Sequence, residues 1–590
     1  MEKKKIMSSG LQRVILLILF LVLVFWSLPL VNKGIDLRDT GSYLTKYRYI
    51  FNRDIRVNEL HYFLGEVAGG IIYALTPVRK VLALNVASSV LYVLTALLLY
   101  LGLRSYLPKI PLMACALTGT FYGITWIRTL NWNAWTALWL TVGLLLLLGG
   151  LGRGDQRLLA LSGFVLAINT YFRFPNMLFL ALIAVVFWKE LLDILAEEQG
   201  RIQSLIRPGA LWRAVKSCRW FFAGAVAGAA VGLLLALVIL GPETVLRDLG
   251  MLTSVGAGEN EGNTHSITTG IYLFLLGMRS GAVSWVKYGV ILAGLCLLLM
   301  AVQALFQTNE KACGVCFTAG MVSAGLLGLY PGLFGDILAA HEWVAFGSIV
   351  FGIAGACCYG RKDRMLSCLC AAAVIIEGFL TIGTDTGVNY YRVYMGLPLA
   401  LLMILAYRYK MDRPQDRNCR GFGLLIRMLA VFTFVFVTAA GIRYAVTHVY
   451  HDAPNAELTE GIHHSDYTGI KTSPERAEAL NRLMKELEPY EEKKLLQIGC
   501  FNIGCVLTDM EPFYDSSWPD LEYLPMETFD EQLDAAIEKG DLPVLLLGTA
   551  EESGMNWSPG KFARIRELGE SSLYRVLYRD ALYTIYVPEE

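Results

Sequence analysis

The feature that most constrains this chain is a series of apolar stretches, each close to the length that crosses a bilayer. A helix needs about 20 apolar residues to span the hydrocarbon core. The sequence contains about 13 such stretches and so predicts a polytopic α-helical membrane protein. They lie near residues 11–31, 81–103, 110–127, 134–151, 157–172, 175–192, 218–240, 286–306, 313–333, 337–358, 365–383, 389–407 and 422–446.

Composition agrees with this class and excludes one kind of partner. Charged residues make up only 17% of the 590 residues, against roughly 25% in soluble proteins. The formal net charge is zero, which gives no indication of nucleic-acid binding. The 12 cysteines lie mostly inside apolar runs and show no zinc-ligand spacing.

Lys and Arg in the short connections predict the orientation. Cytoplasmic loops are enriched in these residues. With the N-terminus in the cytoplasm, the basic connections near 104–109, 153–157, 189–219, 361–364 and 408–420 all fall on the cytoplasmic side. This assignment of the basic connections to the cytoplasmic side holds only if the apolar segment 61–76 does not cross the membrane. We therefore expect residues 33–80 to form one extracytoplasmic loop, in which 61–76 lies along the membrane.

The composition changes after residue 446. Residues 1–446 are predicted to be the transmembrane part and 447–590 a small extracytoplasmic α/β domain, because short amphipathic and apolar segments alternate there. Helices are expected near 473–488, 527–539 and 559–568, strands near 495–499 and 543–548, and a closing hairpin over 573–587. No Gly-rich phosphate loop occurs in this part.

Ionisable and aromatic residues are concentrated in the 33–80 loop. Asp36 and Asp39 follow the first apolar stretch, and Arg53-Asp54 and Glu59 come later. A solvated connector would explain an acid at this place equally well. The loop is long and rich in tyrosine and phenylalanine, however, so we expect it to pack on the membrane surface. Carboxylates beside a low-dielectric wall are candidates for general-base chemistry.

Several of these segments resemble the GT-C superfamily, multi-helix glycosyltransferases that use polyprenyl-phosphate sugars. The resemblance lies in residues 39–43 (DTGSY, ending at Tyr43), in Arg53-Asp54 downstream, and in the amphipathic stretch before the second helix. In the C-terminal part it lies in residues 473–477 (SPERA), 495–499 (LLQIG) and 517–519 (SWP), which are similar to the extracytoplasmic tails of bacterial members.

The resemblance implies a role for the loop residues. It makes Asp39 the candidate general base that deprotonates or orients the acceptor hydroxyl, with Asp36 as second choice or as a metal ligand. Glu59 and His61 are candidates for the substrate site and could add metal ligands, and Tyr43, Arg53 and Asp54 are candidates for the substrate site. Some members use a divalent cation and others do not, so the cofactor stays open.

A donor phosphate also requires cations. Arg173 and Arg392 lie at predicted extracytoplasmic helix ends, and Asp385 precedes the second of them. Guanidinium groups bind phosphate oxygens in a bidentate fork. The alternative is that these arginines reach lipid headgroups beside aromatic belts. For Arg128 and Arg279 we favour that alternative.

The sequence therefore predicts a cell-membrane, multi-pass transferase of hexosyl or pentosyl groups. Its partners would be the bilayer, a polyprenyl-phosphate sugar donor, and a glycan, lipid or protein acceptor at the cell envelope. Two alternatives remain: a transporter or flippase for lipid-linked sugars, and a GT-C-like scaffold without catalysis.

Overall fold

The protein is described by a computed structural model that covers most of the chain. The described residues are 9–124, 127–198, 208–257, 265–305, 310–384, 420–549 and 558–589, together with 387, 388, 399, 403–405 and 408.

Long apolar helices dominate the first 447 residues. Eight helices in the described ranges are long and apolar enough to cross a membrane. The large apolar side chains on their outer faces, such as Leu234 and Leu298, are exposed in the isolated chain, as expected of surfaces that face lipid. The eight candidate spans are Gly10–Leu30, Lys80–Leu103, Trp132–Arg153, Gly209–Ile239, Ile267–Leu305, Gly314–Phe334, Ile337–Tyr359 and Phe422–Thr447.

The helices of this part follow the predicted order. We number them α1 to α16 in chain order: Ser9–Phe25, Asp39–Tyr49, Phe63–Leu75, Lys80–Leu103, Lys109–Ile124, Trp132–Arg153, Gln156–Asn169, Ile183–Glu197, Pro208–Ser217, Arg219–Ile239, Pro242–Ala257, Ile267–Leu305, Glu310–Phe334, Ile337–Tyr359, Arg364–Phe379 and Arg420–Thr447.

The structure differs from the prediction in the lengths of several helices. The predicted spans at 110–127, 157–172 and 365–383 correspond to helices of 14 to 16 residues. The segment 175–192 is divided into a 3-10 helix, Phe174–Leu182, and α8. Helix α12 begins at Ile267, well before the predicted start at 286, and has 39 residues. Most of the predicted span 389–407 lies outside the described residues, so the count of 13 stays a prediction.

The 33–80 loop is largely helical. It contains α2, the 3-10 helix Leu60–Tyr62, and α3. Helix α3 has 13 residues, which at 1.5 Å per residue is too short to span about 30 Å of hydrocarbon. It packs on α2, where a Cβ on Gly69 would collide with the Tyr47 ring. That 61–76 lies along the membrane stays a prediction.

The C-terminal part is an α/β unit built on one four-stranded sheet. The strands are β1 Leu495–Ile498, β2 Val544–Gly548, β3 Tyr574–Arg579 and β4 Tyr583–Pro588, in the order β1-β2-β4-β3. Strands β1 and β2 are parallel and fully buried, and the other pairs are antiparallel. The helices are α17 Pro474–Leu487, α18 Gly504–Thr508, α19 Met526–Lys539 and α20 Pro559–Gly569. The predicted helices and strands of this part are confirmed to within a few residues.

The 33–80 loop and the C-terminal part pack closely on each other. A Cβ on Gly41 would come within 2.5 Å of the Asn502 carbonyl carbon, so only glycine fits there. The Asn502 backbone N–H donates to Leu37 O at 2.7 Å, and the Ser42 and Ser517 hydroxyls lie 2.7 Å apart. The Gly41 and Ser42 positions of the DTGSY segment therefore hold the loop against the C-terminal part.

Candidate functional site

Asp39 is the first residue of α2, and the start of this helix depends on Asp36. The Asp36 carboxylate accepts the backbone N–H groups of Arg38 at 3.0 Å and of Thr40 at 2.7 Å. Burial raises the pKa of Asp36, and these two hydrogen bonds partly oppose that shift. Both carboxylate oxygens thus hold the helix N-terminus, which makes Asp36 a capping residue of α2.

Asp39 is half-buried and is oriented by a tyrosine from the other end of the membrane part. The Tyr450 hydroxyl donates to Asp39 Oδ2 at 2.9 Å. Burial raises the pKa of Tyr450 far above its ordinary value, and the charges of Asp39 and Asp36 add to this effect. The phenol therefore stays protonated and remains a hydrogen-bond donor to the carboxylate.

The ring of Tyr62 is the centre of the candidate site. It stacks on Trp132 with 6.0 Å between centroids and 11° between ring planes, and Lys46 Nζ lies 5.1 Å from its centroid. Burial raises the pKa of Tyr62. The positive charges of Lys46 and Arg173 lower it, while the negative charges of Glu59 and Asp39 raise it. Asp39 and Arg173, which the sequence could not connect, thus act on the same phenol.

Arg173 is held in place by aromatic and backbone contacts. Its guanidinium lies 5.0 Å from the Trp132 centroid. It donates to Leu380 O at 3.4 Å, Ile382 O at 2.8 Å and Gly383 O at 3.3 Å. The side chain is only 2% exposed. It is therefore fixed in orientation inside the protein and does not extend toward lipid headgroups.

A buried charge cluster lies beside Tyr62. Lys46 Nζ forms an ion pair with Glu59 and lies 3.4 Å from Glu66 Oε1. Burial alone would lower the pKa of Lys46, but the two carboxylates raise it above its ordinary value. Burial also raises the pKa of Glu66 to about 7. Burial acts on Glu59 in the same direction, but the charge of Lys46 outweighs it and keeps the pKa of Glu59 below its ordinary value. Lys46 and Glu59 are therefore the charged pair, and Glu66 is the acid that takes up a proton first.

The C-terminal part contributes to the same region. His61 is 3% exposed, and its ring lies 4.8 Å from that of Tyr523. Burial lowers the pKa of His61 to about 4, so the ring is neutral at physiological pH. Its Nε2 lies 3.2 Å from Glu59 Oε2, in an orientation that makes no hydrogen bond. Next to Tyr523, Glu522 pairs with His265 Nδ1 at 2.6 Å and joins the start of α12 to the C-terminal part.

The structure brings only some of the predicted residues together. His61 lies next to Tyr62, with 4.1 Å between the ring centroids, and the charges of Asp39, Glu59 and Arg173 act on the Tyr62 phenol. Arg53 and Asp54 are exposed, and Arg53 donates to Val238 O at 3.0 Å, so their place in a substrate site stays a prediction. Tyr43 is buried in the core between the loop and the C-terminal part, where it stacks on Tyr47. Asp385 and Arg392 lie outside the described residues.

Sequence reasoning missed several members of the site. Lys46 pairs with Glu59, 13 residues further along the chain, and this spacing is not a pairing signal in sequence. Tyr62 and Trp132 belong to no motif that distinguishes them from the other aromatic residues of the chain. Tyr450 and Tyr523 are far from the loop in sequence, and only tertiary structure places them beside Asp39 and His61.

A resident metal ion does not fit the arrangement. Among the described residues, no group of three or more His, Cys, Asp or Glu side chains is placed to hold one. The Asp36 oxygens accept backbone N–H groups, and Glu59 pairs with Lys46. These acids therefore have protein partners where a cation would need open oxygen ligands, and no step below involves a metal.

Comparison with known proteins gives matches in structure only. No protein-family model and no curated protein matches the sequence. An oligosaccharyltransferase of Archaeoglobus fulgidus, in complex with zinc and sulfate, is 14% identical, and the match covers 97% of this chain and 73% of that chain with a TM-score of 0.48. The archaeal oligosaccharyltransferase AglB with an inhibitory peptide and a dolichol-phosphate is 13% identical, with 98% and 74% covered and a TM-score of 0.43.

A further solved structure also matches. ArnT from Cupriavidus metallidurans bound to undecaprenyl phosphate is 12% identical, with 98% of each chain covered and a TM-score of 0.35.

Proposed function

We propose that this protein is a membrane glycosyltransferase that moves a sugar from a polyprenyl-phosphate donor to an acceptor hydroxyl. The observation that supports this most is that two fixed cations lie on a stacked pair of rings, Arg173 on Trp132 and Lys46 on Tyr62. The acid Asp39, which accepts from Tyr450, begins the same helix that carries Lys46. Stacked aromatic rings suit the apolar faces of a sugar, and a guanidinium suits a phosphate.

In the proposed reaction, the acceptor oxygen attacks the anomeric carbon of the donor sugar. The bond from that carbon to the phosphate oxygen breaks, and polyprenyl phosphate leaves with the bonding electron pair. Asp39 accepts the acceptor's proton, and Tyr450 holds the carboxylate in orientation. Because the phosphate is already a fair leaving group, the site mainly positions two substrates and receives one proton.

Arg173 is the proposed partner of the donor phosphate, since its guanidinium is fixed on Trp132 and lies near Tyr62. Lys46 is paired with Glu59, so its proposed role is to keep that acid ionised and the loop in place. In this proposal the 33–80 loop and the C-terminal part, residues 447–590, lie on the extracytoplasmic side and the N-terminus is cytoplasmic.

The proposal is tested by supplying polyprenyl-phosphate sugars and candidate acceptors to the protein in lipid nanodiscs, with product detection by mass spectrometry. We expect transfer by the wild type and by the control Asp54→Asn, whose carboxylate is exposed in the same loop, and loss of transfer in Asp39→Asn. Movement of the sugar lipid across proteoliposomes without transfer would contradict the proposal and favour a flippase. The orientation is tested by labelling a cysteine at Ser572, which should react from outside intact cells.

A further inference from the structure

Two cavities meet where the C-terminal part contacts the end of the membrane part. The outer cavity has a volume of about 580 Å³ and the inner one about 130 Å³. Both are lined by Asp452, Arg476 and Leu582, so they form one groove. The outer volume lies within the range of about 300–1,000 Å³ that is typical of small-molecule sites.

The inner end of this groove lies at the carboxyl ends of the two parallel strands. Gly499 follows β1, Gly548 is the last residue of β2, and Thr549 follows it. Gly499 has a φ of +85°, a conformation that favours glycine. Ligands of open α/β sheets bind outside the carboxyl ends of parallel strands, and the groove opens at this edge.

The groove also leads toward the proposed base. Arg38 and His451 form its inner wall. Arg38 directly precedes Asp39, and Tyr450, which hydrogen-bonds Asp39 at 2.9 Å, directly precedes His451. A chain that enters by the outer cavity can thus bring a hydroxyl to the neighbourhood of Asp39 from the side of the C-terminal part.

The charges of the groove constrain what it can hold. Arg476 is paired with Asp452 at 3.4 Å inside the groove. The outer cavity, which forms the mouth, is lined by four carboxylates, those of Asp452, Glu475, Glu478 and Asp580, and by two guanidiniums, those of Arg476 and Arg482. Arg482 is itself paired with Glu486 at 2.8 Å. The field at the mouth is therefore negative, and a polyanionic chain would be repelled there.

The same mouth has the groups that bind a sugar ring. Arg482 lies 5.2 Å from the centroid of the Tyr578 ring, and both side chains line the groove. An aromatic face packs on the apolar face of a sugar, and neighbouring carboxylates accept hydrogen bonds from its hydroxyls. A peptide would instead favour the free edge of β3, whereas the groove meets the hairpin at its turn, residues 578–582.

We propose that this groove binds the acceptor, and that the acceptor is an uncharged, hydroxyl-rich glycan chain. This inference rests on the proposed transferase function, and it adds the acceptor's chemical class and the residues that select it.

The test is binding of defined probes to the full chain in nanodiscs without donor, measured by calorimetry. The probes are uncharged glucose hexasaccharides, a glycerol-phosphate hexamer and a neutral hydrophilic hexapeptide. We expect the hexasaccharides to bind, and Tyr578→Ala and Arg482→Ala each to weaken this binding about tenfold. Arg564→Ala is the matched control, because Arg564 is another ion-paired arginine of the C-terminal part that does not line the groove. Glu478→Lys should improve binding of the glycerol-phosphate hexamer.

Three results would overturn the inference: no saccharide binds, the anionic or peptide probe binds better than the saccharides, or the groove variants bind as the wild type does. The proposed function can fail separately. If saccharides bind in the groove but no donor yields transfer, the transferase proposal falls while the glycan site remains. If transfer depends on Asp39 but the groove variants leave the KM for the acceptor unchanged, the function remains and the groove assignment falls.

Discussion

Replacing Lys46 by methionine should expose how strongly the buried charge cluster depends on its single cation. Methionine keeps the length and much of the volume of lysine but removes the charge. The Lys46 and Glu66 side chains are 5% and 1% exposed, and Glu59 is 12% exposed. Removing one partner of a buried ion pair typically costs about 3–5 kcal/mol, because the remaining charge is left uncompensated. We therefore expect Lys46→Met to lower the Tm in detergent by about 2–4 °C at pH 7.5, since the unfolding entropy of a chain of this length is about 1.2 kcal/mol/K.

The dependence of this loss of stability on pH, on Glu59 and on Glu66 can also be measured. The loss should be smaller at pH 5, because Glu59 and Glu66 can then take up protons and become neutral. The double variant Lys46→Met/Glu59→Gln should recover most of the lost stability, since the one acid left, Glu66, is already the easier to protonate. Lys471→Met, which removes a cation exposed at the surface, is the control and should change the Tm little. A double variant less stable than the single one would refute this account of the cluster.

Three further predictions follow from the site. His61 has a pKa of about 4 in the folded protein against about 6.5 when unfolded, so it makes stability fall as the pH drops from 6.5 to 4. His61→Gln should flatten that part of the Tm–pH curve, and parallel curves would contradict the assignment. Tyr450→Phe removes the hydrogen bond that favours ionised Asp39, so the acid limb of the pH–rate profile should move to higher pH with the acceptor KM unchanged; an unshifted limb would count against the pairing. A lysine in place of Arg173 cannot keep both the stacking on Trp132 and the carbonyl contacts, so the affinity of Arg173→Lys for polyprenyl phosphate should fall about tenfold. Native mass spectrometry measures this affinity, and the control Arg53→Lys should bind as the wild type does.

The membrane class and the helices and strands of the C-terminal part could be predicted from the sequence because their signals are local. Ser473 accepts the Arg476 backbone N–H and Pro474 occupies the first turn, so the start of α17 is evident from neighbouring residues. The exact lengths of the membrane helices were not predictable in the same way. Helix α12 continues for 39 residues because the residues from Ile267 onward are themselves apolar and uninterrupted by proline, yet we assigned them to a loop.

The function of the loop cations illustrates what local signals cannot supply. The 33–80 loop contains several Lys and Arg residues, and their number alone is compatible with either lipid headgroups or an anionic ligand as partners. The structure instead pairs Arg48 with Asp509 at 2.7 Å and Arg56 with Glu243 at 2.7 Å, and Lys46 with Glu59. Two of these partners lie hundreds of residues away in the chain, so no spacing rule can reveal them.

Of the residues in the candidate site, the sequence pointed to the acid Asp39 and the cation Arg173. Asp39 was ranked above Asp36 only through the resemblance, and the structure adds a physical reason, since Asp36 is used to cap α2. The presence of glycine at position 41 also has a physical reason, since a Cβ there would collide with the Asn502 backbone. Tyr62 was not identified, because its role depends on four charges that meet around it from separate elements.

The most direct test of the proposed function is the single-turnover rate of sugar transfer in Asp39→Asn, measured at saturating donor and acceptor and compared with Asp54→Asn. General-base catalysis contributes about 10²–10⁴-fold. If Asp39 is the base, transfer by Asp39→Asn falls by about that factor while polyprenyl-phosphate binding is retained, and Asp54→Asn transfers at the wild-type rate. Transfer by Asp39→Asn at the wild-type rate would contradict the account.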